Sequence, residues 1–188
     1  MSIYTKKGDY GLTSLLDNKQ VSKSDDRIGL VGEIDELTSH LGMVKASYPK
    51  KDIKAGIEQI QKNLQTLMSS VADQNNRKYK LKEGDVTYLE EEIDRLEGLY
   101  PKITEFVLPG ENPLSAQIDV SRTVTRRVER TLVSTAKKYN IDSLSKKYIN
   151  RLSDYLYVLA RYTDYLLSDG SGIKESRSRF ENKGEDSI

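Results

Sequence analysis

The sequence predicts an all-α protein that folds as a five-helix, up-and-down bundle. Apolar residues recur every three or four positions in five separate segments, which is the period of a helix with one buried face. No segment shows the alternation that would indicate a convincing β-strand. The connections between the predicted helices are short, and short connections favour antiparallel neighbours.

The five predicted helices follow residues 1–25 in order. The first runs from about Asp26 to Ala46, can be capped by Asp25 or Asp26, and ends before Pro49. The other four are predicted from the same apolar period, at about 52–75, 85–98, 113–139 and 145–168.

Composition narrows the class of protein. Residues 1–168 are expected to form one domain, and residues 169–188, which lack periodicity, a flexible tail. The chain has no Cys and one His, which argues against a disulfide framework, a His-rich zinc site and a di-iron bundle. Its net charge of +1 argues against a general nucleic-acid binder. Because it has neither an apolar run of about 18 residues nor an apolar signal core, we expect a soluble, cytoplasmic protein without a membrane partner.

The fourth predicted helix carries arginines on one face. At about 100° per residue, Arg122, Arg126 and Arg130 fall within an arc of about 80°. Glu129 lies beside them, and Arg127 points elsewhere. Planar guanidinium groups in register suit a polyanion such as a triphosphate. A charged surface helix with i,i+4 pairs explains the same spacing equally well.

The N-terminal segment, residues 1–25, is predicted to be an ordered loop. Glycines allow backbone N–H groups to turn inward, and hydroxyls and lysines add donors, so such a loop could cradle phosphates. It is not a Walker A loop, because the required lysine spacing is absent. Such a segment is more often an ordinary N-terminal turn than a phosphate-binding site. The residues concerned are Thr5, Lys6, Lys7, Gly8, Gly11, Thr13 and Ser14.

Four further side chains are candidates for the site. Asp35 lies close to the apolar face of the first helix, where a carboxylate needs a partner such as an arginine from another helix. Phe106, in the loop FVLPG, is either a core anchor or the wall of a pocket. Asn150 and Asp154, at i and i+4 on the fifth helix, could meet the arginine face, although such pairs are more often structural.

Three segments carry motifs whose order and spacing match one family. They are YTKKGDYGLTSL, then DDRIGLVGEIDELTSHLG, and then FVLPGENPLSAQIDVSRTVTRRVER followed by YINRLSDYLYVLAR, covering about residues 3–166. In these segments the chain resembles the PduO-type ATP:cob(I)alamin adenosyltransferases. The resemblance implies a homotrimer with active sites between subunits. It also implies transfer of the 5′-deoxyadenosyl group of ATP to cob(I)alamin with Mg²⁺ present, giving adenosylcobalamin and triphosphate.

The resemblance also implies roles for individual residues. Arg126, Lys6 and Phe106 are expected to be catalytic, with Phe106 closing the lower face of the corrin and Asp154 near that pocket. No side chain is assigned as a metal ligand. Asp35 and Arg122 match a salt bridge across the subunit interface. The residues implied to bind ATP are Thr5, Lys6, Lys7, Gly8, Thr13, Ser14, Lys23, Arg126, Arg127, Glu129, Arg130 and Asn150.

The chain departs from the family pattern at two positions near the start of the fourth helix. Glu111 replaces a common second glycine, and Asp119 stands where a His is usual; both bear on corrinoid affinity. Two alternatives to the enzyme stay open at this point. One is a carrier that hands adenosylcobalamin to an acceptor enzyme. The other is a helical interaction module whose arginine face binds an acidic partner.

Overall fold

The computed structural model describes residues 8–16, 19–73 and 78–168, and the predicted flexible tail lies outside them. The predicted all-α, five-helix bundle is confirmed, with a short hairpin before it. No helix in the described ranges is long and apolar enough to cross a membrane. The elements are β1 (Leu12–Ser14), β2 (Gln20–Ser22), α1 (Asp26–Ser47), α2 (Lys51–Ala72), α3 (Glu83–Glu97), α4 (Pro113–Thr135) and α5 (Ser143–Leu167).

Helices α1 and α4 run in opposite directions, as the predicted up-and-down order requires. Just beyond the end of α4, Lys138 Nζ lies 2.6 Å from Asp26 Oδ2, and within α4 Thr131 Oγ1 donates to Glu33 Oε1 over 3.0 Å. The start of α1 therefore lies beside the end of α4. In addition, α1 packs against α2, and α5 packs against α4 and α3. The packing partners are thus not only helices that adjoin in sequence.

The predicted apolar stripes form the core. In α1, Ile34, Leu37, Leu41 and Val44 are fully buried. Burial of one such side chain contributes about 1.5–3 kcal/mol, so the stripes supply the main driving force for folding. Three tyrosines outside the predicted apolar stripes are also fully buried, namely Tyr48, Tyr148 and Tyr155.

The buried face of α4 is more polar than its apolar period predicts. Ser121 and Thr125 are fully buried. Each hydroxyl donates to a carbonyl four residues earlier in the same helix, Ser121 Oγ to Gln117 O over 3.0 Å and Thr125 Oγ1 to Ser121 O over 2.8 Å. These bonds satisfy the polar groups without a partner helix. Small side chains here let α4 approach its neighbours closely.

The structure corrects the prediction that the chain has no strand. Strands β1 and β2 pair antiparallel, with Leu12 opposite Ser22. Each strand has three residues, too few for an alternating pattern to be visible in sequence. Gly11, just before β1, has a φ of 75°, which an L-residue with a side chain rarely adopts.

Helix boundaries also differ from the predicted ones. α4 ends at Thr135 rather than near 139, and α2 ends at Ala72 rather than near 75. Beyond α4, the chain turns so that Tyr139 reaches the start of α1, where its hydroxyl donates to Asp25 Oδ2 over 3.2 Å. This tertiary contact draws the chain away from the helical path that its sequence would also allow.

Asp25, Arg27 and Tyr139 tie the hairpin segment to the bundle. Asp25 caps α1 by accepting from the Arg27 backbone N–H over 2.9 Å, and its Oδ2 lies 2.8 Å from Arg27 Nη2. The Arg27 guanidinium lies 4.4 Å from the centre of the Tyr139 ring. The side-chain hydrogen bond from Arg27 is the main cause that lowers the pKa of Asp25 to about 2. These contacts fix the position at which the chain passes from the hairpin into α1.

We expect Asp25→Ala to lower the free energy of unfolding by about 1–2 kcal/mol at neutral pH, because the helix loses its cap. The folded-state pKa of Asp25, about 2, lies below its ordinary value of 3.8, so its stabilising effect is complete above about pH 4 and is lost as the pH falls through 2. The difference between wild type and variant should therefore shrink between pH 4 and pH 2. Urea unfolding across this range measures it.

Asp26→Ala is the matched control for the cap. Asp26 pairs with Lys138 at the surface, and such exposed pairs contribute about 0–1 kcal/mol. Equal losses in the two variants, or an Asp25 difference that does not change with acid, would contradict the assigned role of Asp25.

Candidate functional site

Arg126 and Arg130 present exposed guanidinium groups on α4. Arg130 Nη1 donates to the Arg126 carbonyl oxygen over 3.0 Å. This bond holds the Arg130 guanidinium beside the preceding turn of the helix. Among the described residues, no carboxylate pairs with either guanidinium. Two unneutralised cations one turn apart form a site for an anion with several oxygens.

Arg127 points to a different helix, as the sequence predicts. Its guanidinium pairs with Glu36 on α1. One turn further along α4, Thr131 contacts Glu33 on the same side. Arg127 thus lies in the seam between α1 and α4, away from the side chains of Arg126 and Arg130, and its role towards ATP stays a prediction.

Arg122 is held by the helix that carries it. Its Nε donates to Asp119 Oδ1 over 2.9 Å, and Asp119 is only 3% exposed. The two terminal nitrogens of Arg122 have no partner in the described part of the chain. Asp35, the predicted partner of Arg122, is exposed on α1 and pairs with no cation among the described residues. The predicted salt bridge is therefore not made within one chain.

The hairpin gathers several of the predicted ATP-binding residues. The Lys23 N–H donates to the Gly11 carbonyl over 2.8 Å, and a Cβ placed on Gly8 would lie 3.1 Å from Lys23 Nζ. The Lys23 ammonium group therefore lies over the backbone at Gly8. Thr13, half-buried, and Ser14, exposed, follow in β1. Thr5, Lys6 and Lys7 lie outside the described residues.

The hairpin and the arginine face lie apart in one chain. The segment containing the hairpin is anchored beyond the C-terminal end of α4, through Asp25 and Tyr139. Arg126, by contrast, lies in the middle of α4. Within one chain, therefore, no described hydrogen bond or ion pair links the hairpin to Arg126 or Arg130.

Phe106 lies on the long connection between α3 and α4 and is 86% exposed. The interpretation of Phe106 as a core anchor is therefore wrong. Leu108, two residues on, is also largely exposed, and Gly110 turns the loop with a φ of 111°. An exposed aromatic side chain on a loop leaves apolar surface that a flat ligand or a second chain can cover.

Asp154 does not meet the arginine face, which corrects the hypothesis from helical spacing. Its Oδ2 accepts from Arg151 Nη1 over 2.8 Å, and Arg151 Nε in turn donates to Glu90 Oε1 on α3 over 3.1 Å. Asp154 thus pairs with Arg151 on its own helix and not with the arginines of α4. Asn150 is exposed and makes no contact with them in the described structure.

Sequence reasoning missed a buried ionic cluster between α4 and α5. Arg161, 2% exposed, donates through Nη2 to Asp119 Oδ2 over 2.5 Å, and the same nitrogen lies 3.1 Å from Asp164 Oδ2. Burial raises the pKa of Asp164, while Ser115 and Arg161 oppose that rise. The available signal was Asp119 directly after Ile118, a carboxylate on the buried side of a helix.

A groove of about 510 Å³ runs between α1 and α2. Its walls carry both signs of charge, including Asp35, Lys45, Glu58 and Lys62, and Met68 closes one part of it. None of the predicted ATP-binding residues lines this groove. The candidate site is therefore formed by the charged groups of α4 and the hairpin, and not by the groove.

Comparison with known proteins decides the family. The sequence model described as cobalamin adenosyltransferase matches residues 3–163. The chain belongs to the cobalamin adenosyltransferase family. A corrinoid adenosyltransferase from Citrobacter freundii is 38% identical over 163 residues, which cover 85% of this chain and 93% of that relative.

Solved members of the family share the fold. A variant PduO-type ATP:corrinoid adenosyltransferase from Lactobacillus reuteri, complexed with cobalamin and ATP, has a TM-score of 0.83 and 35% identity, covering 88% of this chain and 94% of that one. A second variant from the same organism, complexed with ATP, has a TM-score of 0.82 and 36% identity, covering 87% and 95%.

Proposed function

We propose that this protein is an ATP:cob(I)alamin adenosyltransferase. It transfers the 5′-deoxyadenosyl group of ATP to cob(I)alamin and releases adenosylcobalamin and triphosphate. The observation that carries this conclusion is the match, over most of both chains, to an adenosyltransferase structure that holds cobalamin and ATP. The unneutralised arginines on α4 supply what the chemistry of triphosphate release requires.

The reaction is a nucleophilic displacement at the 5′ carbon of ATP. The cobalt(I) electron pair forms the Co–C bond, and the C–O bond to the triphosphate breaks. The protein therefore needs no side-chain nucleophile, which suits a chain without Cys. Its tasks are to hold the two substrates in line and to neutralise the charge that develops on the leaving group.

In this mechanism, Arg126 and Lys6 act on the departing triphosphate. Negative charge grows on the leaving oxygen in the transition state, so a cation there stabilises the transition state more than it stabilises bound ATP. Arg130, Glu129 and Asn150 would complete the ATP site. Phe106 would cover the lower face of the corrin, with Asp154 near the same pocket.

Mg²⁺ would reach the site with ATP. Mg²⁺ is usually held by one or two carboxylates together with substrate phosphates. Glu129 is half-buried beside the arginine face and has no ion-pair partner in the described ranges. No group of three His, Asp or Glu in those ranges could hold a metal alone. In the proposed site, Glu129 is the described carboxylate that could contact a Mg²⁺ ion brought by the nucleotide.

The active site is proposed to form between copies of the chain in a homotrimer. The separation of the hairpin from Arg126 within one chain supports this. So do the unused terminal nitrogens of Arg122 and the unpaired Asp35, which could meet across an interface. Delivery of the product to an adenosylcobalamin-dependent acceptor enzyme and a cytoplasmic location stay predictions.

Mixing two inactive variants tests whether the site is shared. If Lys6 and Arg126 serve one site from different subunits, co-expressed Lys6→Ala and Arg126→Ala chains will form about a quarter of their sites from two intact halves. The mixed oligomer should then recover activity far above either variant alone. Different affinity tags allow the mixed oligomer to be purified for the assay.

A chain with both substitutions, mixed with either single variant, is the control, because no site then has two intact halves. Activity in the Lys6→Ala and Arg126→Ala mixture no higher than in this control would contradict the shared site.

The activity itself is tested anaerobically with the purified protein, MgATP and chemically reduced cobalamin. The expected result is loss of the visible cob(I)alamin band with growth of a light-sensitive alkylcobalamin band, only when ATP is present. Absence of any ATP-dependent spectral change would overturn the proposed function. Thermal stabilisation by ATP without that change would instead indicate a non-catalytic protein that binds the nucleotide.

A further inference from the structure

The cluster of Asp119, Arg161 and Asp164 joins the start of α4 to the end of α5. The side chains of Asp119 and Arg161 are only 4% and 2% exposed, and that of Asp164 is 12% exposed. Both of the Arg161 ionic contacts come from one nitrogen, Nη2, and Arg161 Nε is buried without a partner. A buried charge of this kind is stable only while its partners stay in place, so the cluster resists relative movement of the two helices.

The C-terminal end of the loop that carries Phe106 contacts this cluster. At the C-terminal end, Asn112 caps α4 by accepting from the Ser115 N–H over 2.9 Å, and its Nδ2 donates to Asp164 Oδ1 over 3.1 Å. At the N-terminal end, Tyr100 is half-buried and packs against the hydrophobic core. Between these two ends, Phe106 makes little contact with the rest of the chain.

The cluster also reaches the predicted subunit interface. Asp119 uses Oδ2 for Arg161 and Oδ1 for Arg122, so one carboxylate sets the position of both arginines. A carboxylate at this position provides the charge that a buried arginine requires.

We propose that Asp119 and Arg161 are positioning residues for the corrinoid substrate. Their buried ion pair holds the first turns of α4 against α5, and thereby fixes the C-terminal end of the Phe106 loop at the place where the corrin binds. Neither residue touches the substrate. This inference rests on the proposed adenosyltransferase function and assigns a cause to the position of its corrin-binding loop.

Removal of one charge should affect the corrinoid and not the nucleotide. Asp119→Asn replaces one of the two carboxylates around Arg161 with a neutral amide, which weakens the ion pair. The start of α4 and the loop then lose their fixed position. A loop displaced by about 1 Å can cost an order of magnitude or more, so we expect the KM for cob(I)alamin to rise about tenfold or more. The KM for ATP should stay within about twofold, because Arg126 lies two turns further along α4.

The variants for the test are Asp119→Asn, Arg161→Met and Arg161→Lys. A lysine nitrogen can pair with both carboxylates, as Nη2 does here, and the substitution removes the unpartnered Nε. Arg161→Lys should therefore recover most of the corrinoid affinity that Arg161→Met loses. A role in stability alone would not separate the two substrates in this way.

Asn63→Ala is the control for general destabilisation. Asn63 is buried and donates to Tyr148 Oη over 3.3 Å. Tyr148 lies about 20 Å along α5 from Arg161. The second readout is the rate of trypsin cleavage after Lys102, an exposed residue in the Phe106 loop, followed by mass spectrometry of the full-length protein. Cleavage should accelerate in Asp119→Asn and Arg161→Met but not in Asn63→Ala.

Three results would overturn the inference: corrinoid KM values no higher than in Asn63→Ala, equal rises in both KM values, or unchanged cleavage after Lys102. If Asp119→Asn does not fold, Asp164→Asn replaces it, because its amide oxygen can still accept from Asn112 while the ion pair is lost. No turnover by the wild-type protein would instead overturn the proposed function, and this inference with it.

Discussion

Replacing Arg126 with alanine is expected to lower kcat/KM for ATP by about 30- to 1,000-fold, or about 2–4 kcal/mol of transition-state stabilisation. The exposed Arg126 guanidinium has no carboxylate partner among the described residues, so its charge is available to the nucleotide. Because charge develops as triphosphate leaves, kcat should fall more than ATP binding. Steady-state kinetics with saturating cob(I)alamin and varied MgATP measures both.

Two further variants sharpen this prediction. Arg126→Lys keeps the charge but loses the planar fork, so it should lie between wild type and Arg126→Ala. Arg95→Ala is the matched control, because Arg95 is an exposed arginine on α3 that pairs with Glu92 over 2.7 Å. Unchanged kinetics in Arg126→Ala, or equal losses in Arg95→Ala, would remove Arg126 from the site.

Replacing Phe106 with alanine is expected to slow adenosylation that starts from cob(II)alamin and an added one-electron reductant by about tenfold or more, with ATP binding nearly intact. An axial donor stabilises the higher oxidation state of a metal, so a side chain that keeps the lower face of cobalt free of a ligand makes cobalt(II) easier to reduce. Phe106 is suited to this role because its ring is 86% exposed and free to cover a ligand. The rate from cob(I)alamin should fall less, because that reaction needs no reduction step.

Leu99→Ala is the control for loss of an apolar side chain from the same connection, since Leu99 is 45% exposed. It should leave both rates close to those of the wild type. An equal loss of ATP affinity in Phe106→Ala, measured by calorimetry, would contradict a role confined to the corrin.

The helices could be predicted because each buries one apolar stripe long enough for its period to be seen. The hairpin could not, because strands of three residues carry no visible alternation, and Gly11 is informative only once its φ is known. The end of α4 was misplaced because Tyr139 turns back to Asp25, a contact between positions that are distant in sequence.

The candidate site was predictable in its residue types but not in its pairings. The spacing of Arg126 and Arg130 on one face is a property of the helix itself, and the structure keeps it. Asp154 and Arg161 depend on which helices lie beside α5, and that arrangement cannot be derived from periodicity. No described contact joins Arg126 to the hairpin within one chain, so only the family resemblance, and not periodicity, could assign both to one ATP site.

The measurement that tests the central claim most directly identifies both products of a single reaction. Wild-type protein, MgATP and cob(I)alamin are mixed anaerobically, and the corrinoid and phosphate products are quantified by mass spectrometry and ³¹P NMR. Nucleophilic displacement at the 5′ carbon predicts adenosylcobalamin and intact triphosphate in equal amounts. Release of ADP and phosphate without adenosylcobalamin would show that the arginine face serves ATP hydrolysis, and would contradict the adenosyltransferase mechanism.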